Sequence, residues 1–403
     1  MKKLLSTFLS LLALSSPSFA AEVPKSPYIA IVYGYADAML KHGRDTYGTG
    51  QTGFLLSALD RKTLSAIPNY PIANARLDQN LVRILYTLSE LSGKPIYRDA
   101  AEREIRAFLV AGGDTWNVLT DETVRETIEA RDTLRPWMLW EKSLELEPDL
   151  SKKFVLRTGT GPNARYTAFG IRAFACAYQS MRETRFQRMA ESYLDSFDHV
   201  QSTSTPAEML SIAIDCDGAA SRLPQPLASR LRDYAAAKDD AFLALPHDLK
   251  GQSGFAFAKN EFTPLWNVPN HRATTAMLAM LCVSRYENTA NIKFRDLIHA
   301  AADAYRVNPP TNDIELWPMT FGHAISLELA AWRSTAKQEY LDSARTLADL
   351  ALKTFWTNNN PLPRATTRTD NYDTLTGSDT LALSLLELHL SILHITAVRC
   401  PPN

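Results

Sequence analysis

Five polar side chains stand where apolar stretches of the sequence begin. Imidazole and phenol groups can exchange a proton with a substrate, and carboxyl groups can act as general acids or bases. The five are Asp78, Tyr166, His271, His323 and Asp379. If each apolar stretch is a buried helix, each side chain lies in or beside a first turn, and all five face one cleft. The carboxyls of Asp78 and Asp379 are also suited to capping these helices.

His271 is the first candidate for a general base. It opens the most apolar stretch and follows a loop over 255–270 that contains Glu261 and Trp266. The positive end of a helix dipole disfavours the charged imidazolium, so a histidine there stays neutral, as a base must. The predicted catalytic set is His271, Tyr166, Asp78 and Glu261.

A second group of residues is suited to binding an acidic sugar. Arg44 could bind a carboxylate through both guanidinium nitrogens, with Asp45 holding it in place. Indole rings stack on the C–H face of a pyranose and donate one directional hydrogen bond. The alternative for the basic residues is a helix end stabilised by its own cations and broken at Gly43. The predicted binding set is His42, Arg44, Asp45, Arg165, Trp266, Trp317, His323 and Asp379.

Two kinds of helix alternate along the chain and would position these residues. Stretches that start at Tyr97, Phe186, Phe294 and Tyr340 carry one apolar stripe at helical spacing and are otherwise charged, which is typical of helices with one wet face. Between them lie stretches that are apolar nearly all round and must be surrounded by protein: 79–91, 166–180, 271–285, 321–333 and 378–394. The alternation predicts an all-α fold of about six helical hairpins, each roughly 50 residues long.

Loop lengths indicate which side of such an array carries function. Apolar helices lead into striped helices through short turns, whereas the return connections are long. In an up-and-down ring, the long loops gather on one face, where binding and catalysis usually lie. The first helix, 28–41, and the last, 378–394, lack hairpin partners, so we expect them to pair and close the ring.

This organisation resembles the (α/α)6 toroid shared by several polysaccharide lyases, unsaturated glucuronyl hydrolases and other glycosidases. One segment is more specific: residues 35–48, YADAMLKHGRDTYG, are similar to the opening of a group of bacterial secreted proteins associated with the breakdown of uronic-acid polysaccharides. The resemblance implies an acidic oligosaccharide or polysaccharide as the partner. It assigns no catalytic residue.

The N-terminus has the features of a secretory signal peptide. Lys2 and Lys3 precede an apolar run over 4–14, and Ser18 and Ala20 provide the small residues of a cleavage site. We therefore expect a signal peptide over 1–20, a single domain over 21–403, and a periplasmic or secreted protein with no membrane span. With 43 basic and 44 acidic residues, the charge gives no reason to expect nucleic acid. No phosphate-loop, dinucleotide or zinc-protease motif is present, so no cofactor or metal is expected.

Three functions remain open on the sequence. A polysaccharide lyase needs a cation to neutralise the uronate and a base to remove the C5 proton, for which Arg165, His271 and Tyr166 are suited. A glycoside hydrolase needs two carboxyls, for which the candidates are Asp78, Glu261 and Asp379. A sugar-binding protein without catalysis would use the same aromatic and arginine residues. The sequence slightly favours the lyase.

Overall fold

The computed structural model describes residues 26–46, 53–67, 78–110, 137–155, 164–197, 205–250, 254–258, 261–268 and 273–394. The predicted signal peptide and His271 lie outside these ranges. The described chain is built mainly from helices, in this order: α1 Pro27–His42, α2 Gln79–Ser92, α3 Pro95–Val110, α4 Trp137–Leu146, α5 Pro148–Val155, α6 Ala164–Met181, α7 Thr184–Ser196, α8 Pro206–Ala220, α9 Leu227–Leu243, α10 Thr275–Thr289, α11 Ile292–Val307, α12 Pro318–Thr335, α13 Gln338–Phe355 and α14 Ser378–Ile392.

The two predicted classes of helix are confirmed. In α11 the stripe of Phe294, Ile298, Ala301 and Tyr305 is buried, and the other side of the helix faces solvent. Helices α12 and α14 are buried on nearly every side. The apolar helices form the inner layer, and the striped helices cover them.

Six long hairpins close into a ring, which is the (α/α)6 toroid that the sequence predicts. Five are consecutive pairs: α2–α3, α6–α7, α8–α9, α10–α11 and α12–α13. The sixth joins α14 to α1, which also contacts α2. Ser26 and His389 close this pair with a 2.8 Å contact between Oγ and Nδ1. A shorter hairpin, α4–α5, packs between α3 and α6.

Local signals set where the inner helices begin. Thr205 and Glu208 form a reciprocal capping box at the start of α8. Thr274 caps α10 by accepting a hydrogen bond from the backbone N–H of Met277. The sequence places the start of α10 at His271, but the helix begins at Thr275 because of this cap. The prediction that His271 opens the helix is therefore wrong by four positions.

The strands are short and lie in the long connections. β1 (Ala58–Asp60) pairs antiparallel with both β2 (Ser65–Ala66) and β5 (Asn371–Asp373), while β3 (Ala256–Ala258) pairs with β4 (Glu261–Phe262). These strands and the beginnings of the inner helices lie on one side of the ring, which we call the long-loop face. The tight inner-to-outer turns lie on the opposite, short-turn face. Within the described ranges, no helix is both long and apolar enough to cross a membrane.

Candidate functional site

The structure places the predicted residues that it describes at the long-loop face. Asp78 immediately precedes α2, and Asp379 is in the first turn of α14. His323 is buried. It lies in the second turn of α12 and not in the first, because that helix starts at Pro318, earlier than the sequence suggests. Residues 165 and 166 belong to the first turn of α6, but their side chains are outside the described part of the chain.

Five buried residues form a polar group at this face, which we call the carboxylate–tyrosine cluster. Its members are Tyr35, Ser57, Asp78, Tyr372 and Asp379, and each has 0% of its surface exposed. The Ser57 hydroxyl donates to Asp78 Oδ2 over 3.2 Å. The hydroxyls of Tyr35 and Tyr372 are 2.8 Å apart. Two carboxyls and two phenols are thus buried at this face, away from solvent.

The electrostatics of the cluster centre on Tyr372. Burial raises its pKa well above the ordinary value, and the neighbouring Tyr35 and the charges of Asp78 and Asp379 raise it further. Its phenol consequently stays protonated at any physiological pH. Tyr372 can donate a hydrogen bond, but it is a poor general base.

Neither aspartate has the capping role that its position suggests. Asp78 occupies the N-cap position of α2, yet its side chain makes no capping hydrogen bond. The N-cap of α14 is Gly377, two residues before Asp379. Asp379 Oδ1 instead accepts from the next backbone N–H, that of Thr380, over 2.9 Å. The capping interpretation of these two carboxyls is therefore wrong. Both are instead members of the buried carboxylate–tyrosine cluster.

Short strands and close helix packing hold the cluster together. Pairing of β1 with β5 sets Leu59 opposite Tyr372, and Ser57 O accepts from the backbone N–H of Thr374 over 2.8 Å. Gly377 begins α14 with a φ of 82°, where a Cβ would lie 2.3 Å from Met319 Cβ. Only glycine fits both this backbone conformation and this approach of α12.

A polar chain links α2 to α14 beside the cluster. Asn80 Nδ2 donates to Thr380 Oγ1 over 3.0 Å, and Arg83 Nη1 donates to Asn80 Oδ1 over 3.2 Å. All three residues are buried. This chain fixes the relative position of the two helices that carry Asp78 and Asp379.

The segment around Arg44 is organised differently from the prediction. Arg44 pairs with Glu104 on α3, at 3.0 Å, and its other donors reach the carbonyls of Gly53 and Ala100. The buried carboxylate of Glu104 also accepts from the backbone N–H of Leu55. The proposal that Asp45 holds Arg44 is wrong: Glu104 does so. Burial raises the pKa of Glu104 to about 7, against the lowering effect of Arg44.

The remaining predicted residues are distributed over the loops of this face. Trp266 is buried, donates from Nε1 to Asn308 O over 2.6 Å, and packs against Tyr305 and Phe321. It is a core residue in this structure, because its ring faces are already covered. Glu261 is exposed in β4. The side chains of His42, at the end of α1, and Trp317, before α12, are partly exposed.

Sequence reasoning misses three members of the cluster: Tyr35, Ser57 and Tyr372. Tyr35 is indistinguishable from a core residue of α1, because the pattern of an apolar helix does not reveal a hydroxyl partner. Ser57 and Tyr372 lie in long connections, beside or within strands only three residues long. The concentration of polar residues over 370–374 is the one sequence signal that could point to this region.

Comparison with known proteins establishes the fold alone. No protein-family model matches the sequence, and a search of curated protein sequences finds no significant match. A D-mannose isomerase structure aligns over 93% of this chain and 100% of its own, with 10% identity and a TM-score of 0.53. The Lin0763 protein of Listeria innocua aligns over 91% and 98%, with 8% identity and a TM-score of 0.52. An α-1,6-mannanase from Salegentibacter covers 91% and 99% at 8% identity, with a TM-score of 0.49.

Proposed function

We propose that this chain is an exported carbohydrate-active enzyme that cleaves a uronic-acid-containing oligosaccharide or polysaccharide at the long-loop face. Three arguments support the proposal: the signal-peptide pattern, the similarity of residues 35–48 to secreted proteins of uronic-acid breakdown, and the polar cluster at this face. A structure of the same fold is described as a D-mannose isomerase, which makes a sugar the first ligand class to test.

The observation that carries the reaction type is the convergence of Asp78 and Asp379 on Tyr372. Both carboxylates raise the pKa of that phenol, so both lie within electrostatic range of it. Glycoside hydrolysis requires two carboxyls on either side of the glycosidic bond, one as acid and one as base or nucleophile. The presence of two buried carboxyls near one phenol therefore supports hydrolysis over the β-elimination that the sequence slightly favours. Because both carboxyls are buried, the proposal requires the sugar to displace the protein groups that surround them.

β-Elimination is the second candidate function. Tyr166 lies in the first turn of α6 on the long-loop face, where a base could meet a C5 proton. Tyr372 cannot take this role, since its phenol is held protonated. A lyase would thus depend on His271, Tyr166 and Arg165.

A product assay on the purified protein separates the two reactions. Uronic-acid oligosaccharides of several linkages are incubated with it, and ultraviolet absorbance of a 4,5-unsaturated product is followed together with reducing-end release. Reducing ends without absorbance indicate a hydrolase, and both together indicate a lyase. Binding without either product would contradict the enzymatic proposal and leave a sugar-binding protein.

Three variants then identify the residues. For a hydrolase, Asp379→Asn and Asp78→Asn should each lower turnover by about 10²–10⁴-fold, as loss of an acid or base does, with oligosaccharide binding retained. Asp296→Asn, at an exposed position of α11, is the matched control. For a lyase, His271→Ala should show the loss instead. Normal turnover in both cluster variants, with folding verified by circular dichroism, would refute their assignment.

A further inference from the structure

A second polar site lies on the short-turn face, away from the carboxylate–tyrosine cluster. It is a cleft of about 550 Å³ between α6, α8, α9 and α10. We call it the arginine cleft, because its lining carries four arginines and two aspartates: Arg172, Arg222, Arg232, Arg285, Asp217 and Asp239.

The floor of the arginine cleft is rigid. Arg285 is fully buried and bonds Asp239 through two nitrogens, Nε at 2.8 Å and Nη2 at 2.5 Å. Its third nitrogen, Nη1, donates to Asp217 over 2.6 Å. Burial alone would lower the pKa of Arg285, but the hydrogen bonds and charges of the two aspartates raise it. This guanidinium stays charged and cannot rearrange freely.

The backbone is shaped to admit a second guanidinium. A Cβ on Gly218 would lie 1.8 Å from Arg172 Nη1. Any other residue at position 218 would therefore displace this arginine from the surface of α8. Arg172 Nη1 donates to Ile214 O over 3.2 Å and lies 3.9 Å from Asp215.

The remaining two arginines, Arg222 and Arg232, lie toward the opening of the cleft, and Arg232 leaves positive charge there. Arg222 Nη1 donates to Gly218 O over 2.7 Å and to Ser221 Oγ over 3.1 Å. Arg232 is exposed, and no hydrogen bond or ion pair joins its side chain to any residue that the structure describes. Four arginines and two aspartates in the lining give a formal charge of 4 − 2 = +2. Asp215 beside Arg172 reduces this to +1 and leaves an excess of cations.

We propose that the arginine cleft binds a polyhydroxylated organic anion, a sugar-sized molecule that bears a carboxylate or a phosphate. Its volume falls within the range of about 300–1,000 Å³ typical of small-molecule sites and far exceeds the needs of an inorganic ion. Guanidinium groups bind carboxylate and phosphate in a bidentate manner. Asn288 also lines the cleft and supplies an amide group, while the hydroxyls of Ser221 and Thr289, which donate to Gly218 O and Arg285 O, add polar lining.

The proposal stands independently of the function proposed for the long-loop face, since it derives from the cleft alone. Isothermal titration of the full mature chain with D-glucuronate and with glucose 6-phosphate tests it. D-Glucose and inorganic phosphate serve as comparison ligands. We expect at least one of the two acid sugars to bind more tightly than either comparison ligand, with affinity falling as salt rises. The tighter of the two identifies the acidic group.

The decisive variant is Arg232→Gln, because this exposed side chain has no hydrogen bond or ion pair with a described residue whose loss could destabilise the fold. Loss of one charge-assisted hydrogen bond should weaken binding about tenfold. Arg295→Gln, at a partly exposed arginine of α11 outside the cleft, should leave it unchanged. Arg222→Gln gives a second, independent measurement and should also weaken binding.

Four results would overturn the proposal. Three concern the ligands: neither acid sugar binds at millimolar concentration, D-glucose binds as tightly as the acid sugars, or inorganic phosphate alone binds as tightly as the two acid sugars. The fourth is equal affinity of Arg232→Gln and Arg295→Gln for the ligand. Because Arg232 is on the short-turn face, Arg232→Gln should leave turnover at the long-loop face unchanged. Failure here is thus distinguishable from failure of the proposed enzymatic function.

Discussion

Glu328 is a buried acid whose ionisation should limit the stability of the ring. It lies on α12 with 0% of its surface exposed. Its Oε1 accepts from the Ser343 hydroxyl of α13 over 2.9 Å, and its Oε2 has no hydrogen-bond partner among the described residues. Burial raises the pKa of Glu328 from 4.5 to about 8, while Ser343 and Arg306 oppose the rise.

The sign of the pH effect follows from this raised pKa. Between pH 4.5 and 8 the folded state binds a proton that the unfolded state has lost, so stability falls as pH rises through this window. At pH 7 the pH exceeds the ordinary pKa of 4.5 by about 2.5 units. Keeping the proton bound therefore lowers the free energy of unfolding by about 3 kcal/mol. Above pH 8 this loss in the free energy of unfolding approaches ~5 kcal/mol.

Glu328→Gln removes the ionisation and keeps the shape of the side chain. The variant should be more stable than the parent by about 3 kcal/mol at pH 7 and should match it at pH 4. Denaturant unfolding at pH 4, 7 and 9 measures the difference. Glu191→Gln, the same change at an exposed position of α7, is the control and should have no such trend. Equal gains at pH 4 and pH 9, or destabilisation at pH 9, would refute the reasoning, because neither can arise from a proton bound only in the folded state.

Two further predictions concern packing. Trp266→Ala should destabilise the fold by about 3–5 kcal/mol, as loss of a buried tryptophan does; a loss below ~1 kcal/mol in denaturant unfolding would show that the indole is not a core residue. Gly322→Ala should cost about 1–3 kcal/mol, because its Cβ would lie 2.9 Å from the Thr380 carbonyl. Gly34→Ala in α1 is the matched control, because an added Cβ there would meet no atom within 4 Å apart from those of neighbouring residues in its own helix. This control should be neutral or stabilising, so equal melting temperatures for the two variants would contradict the close crossing of α12 and α14.

The architecture could be predicted because helical periodicity is a local signal. Phe294, Ile298 and Tyr305 recur on one face of a helix, and the recurrence alone implies a buried stripe. The contrast between short and long connections then places the beginnings of the inner helices on one face. Neither prediction requires knowledge of which distant residues are in contact.

The details of the site depend on distant pairs, which a single sequence does not encode visibly. Arg44 pairs with Glu104, 60 positions away, rather than with its neighbour Asp45. The hydroxyls of Tyr35 and Tyr372 meet across 337 positions. A charged neighbour in sequence is a weak guide to an ion-pair partner, because residues next to each other on a chain usually point in different directions.

Tryptophan shows a different limit. The residue types that bind sugars also fill cores, since a large apolar ring with one donor serves both purposes. Trp266 in the loop before α10 has the same sequence signal as Trp317 before α12. The two differ only in the structure, where the first is buried against α11 and α12 and the second keeps part of its surface exposed.

The pairing of α1 with α14 has a consequence for how the molecule is made. Ser26 and His389, which meet at this seam, are separated by 363 positions. At ordinary translation speeds of about 5–20 residues per second, roughly 20 to 70 seconds pass between their synthesis. During that interval the apolar side of α1 that α14 later covers has no partner from the end of the chain. Completion of the toroid is thus a late event, because the pairing of α1 with α14 cannot form before the end of the chain has been synthesised.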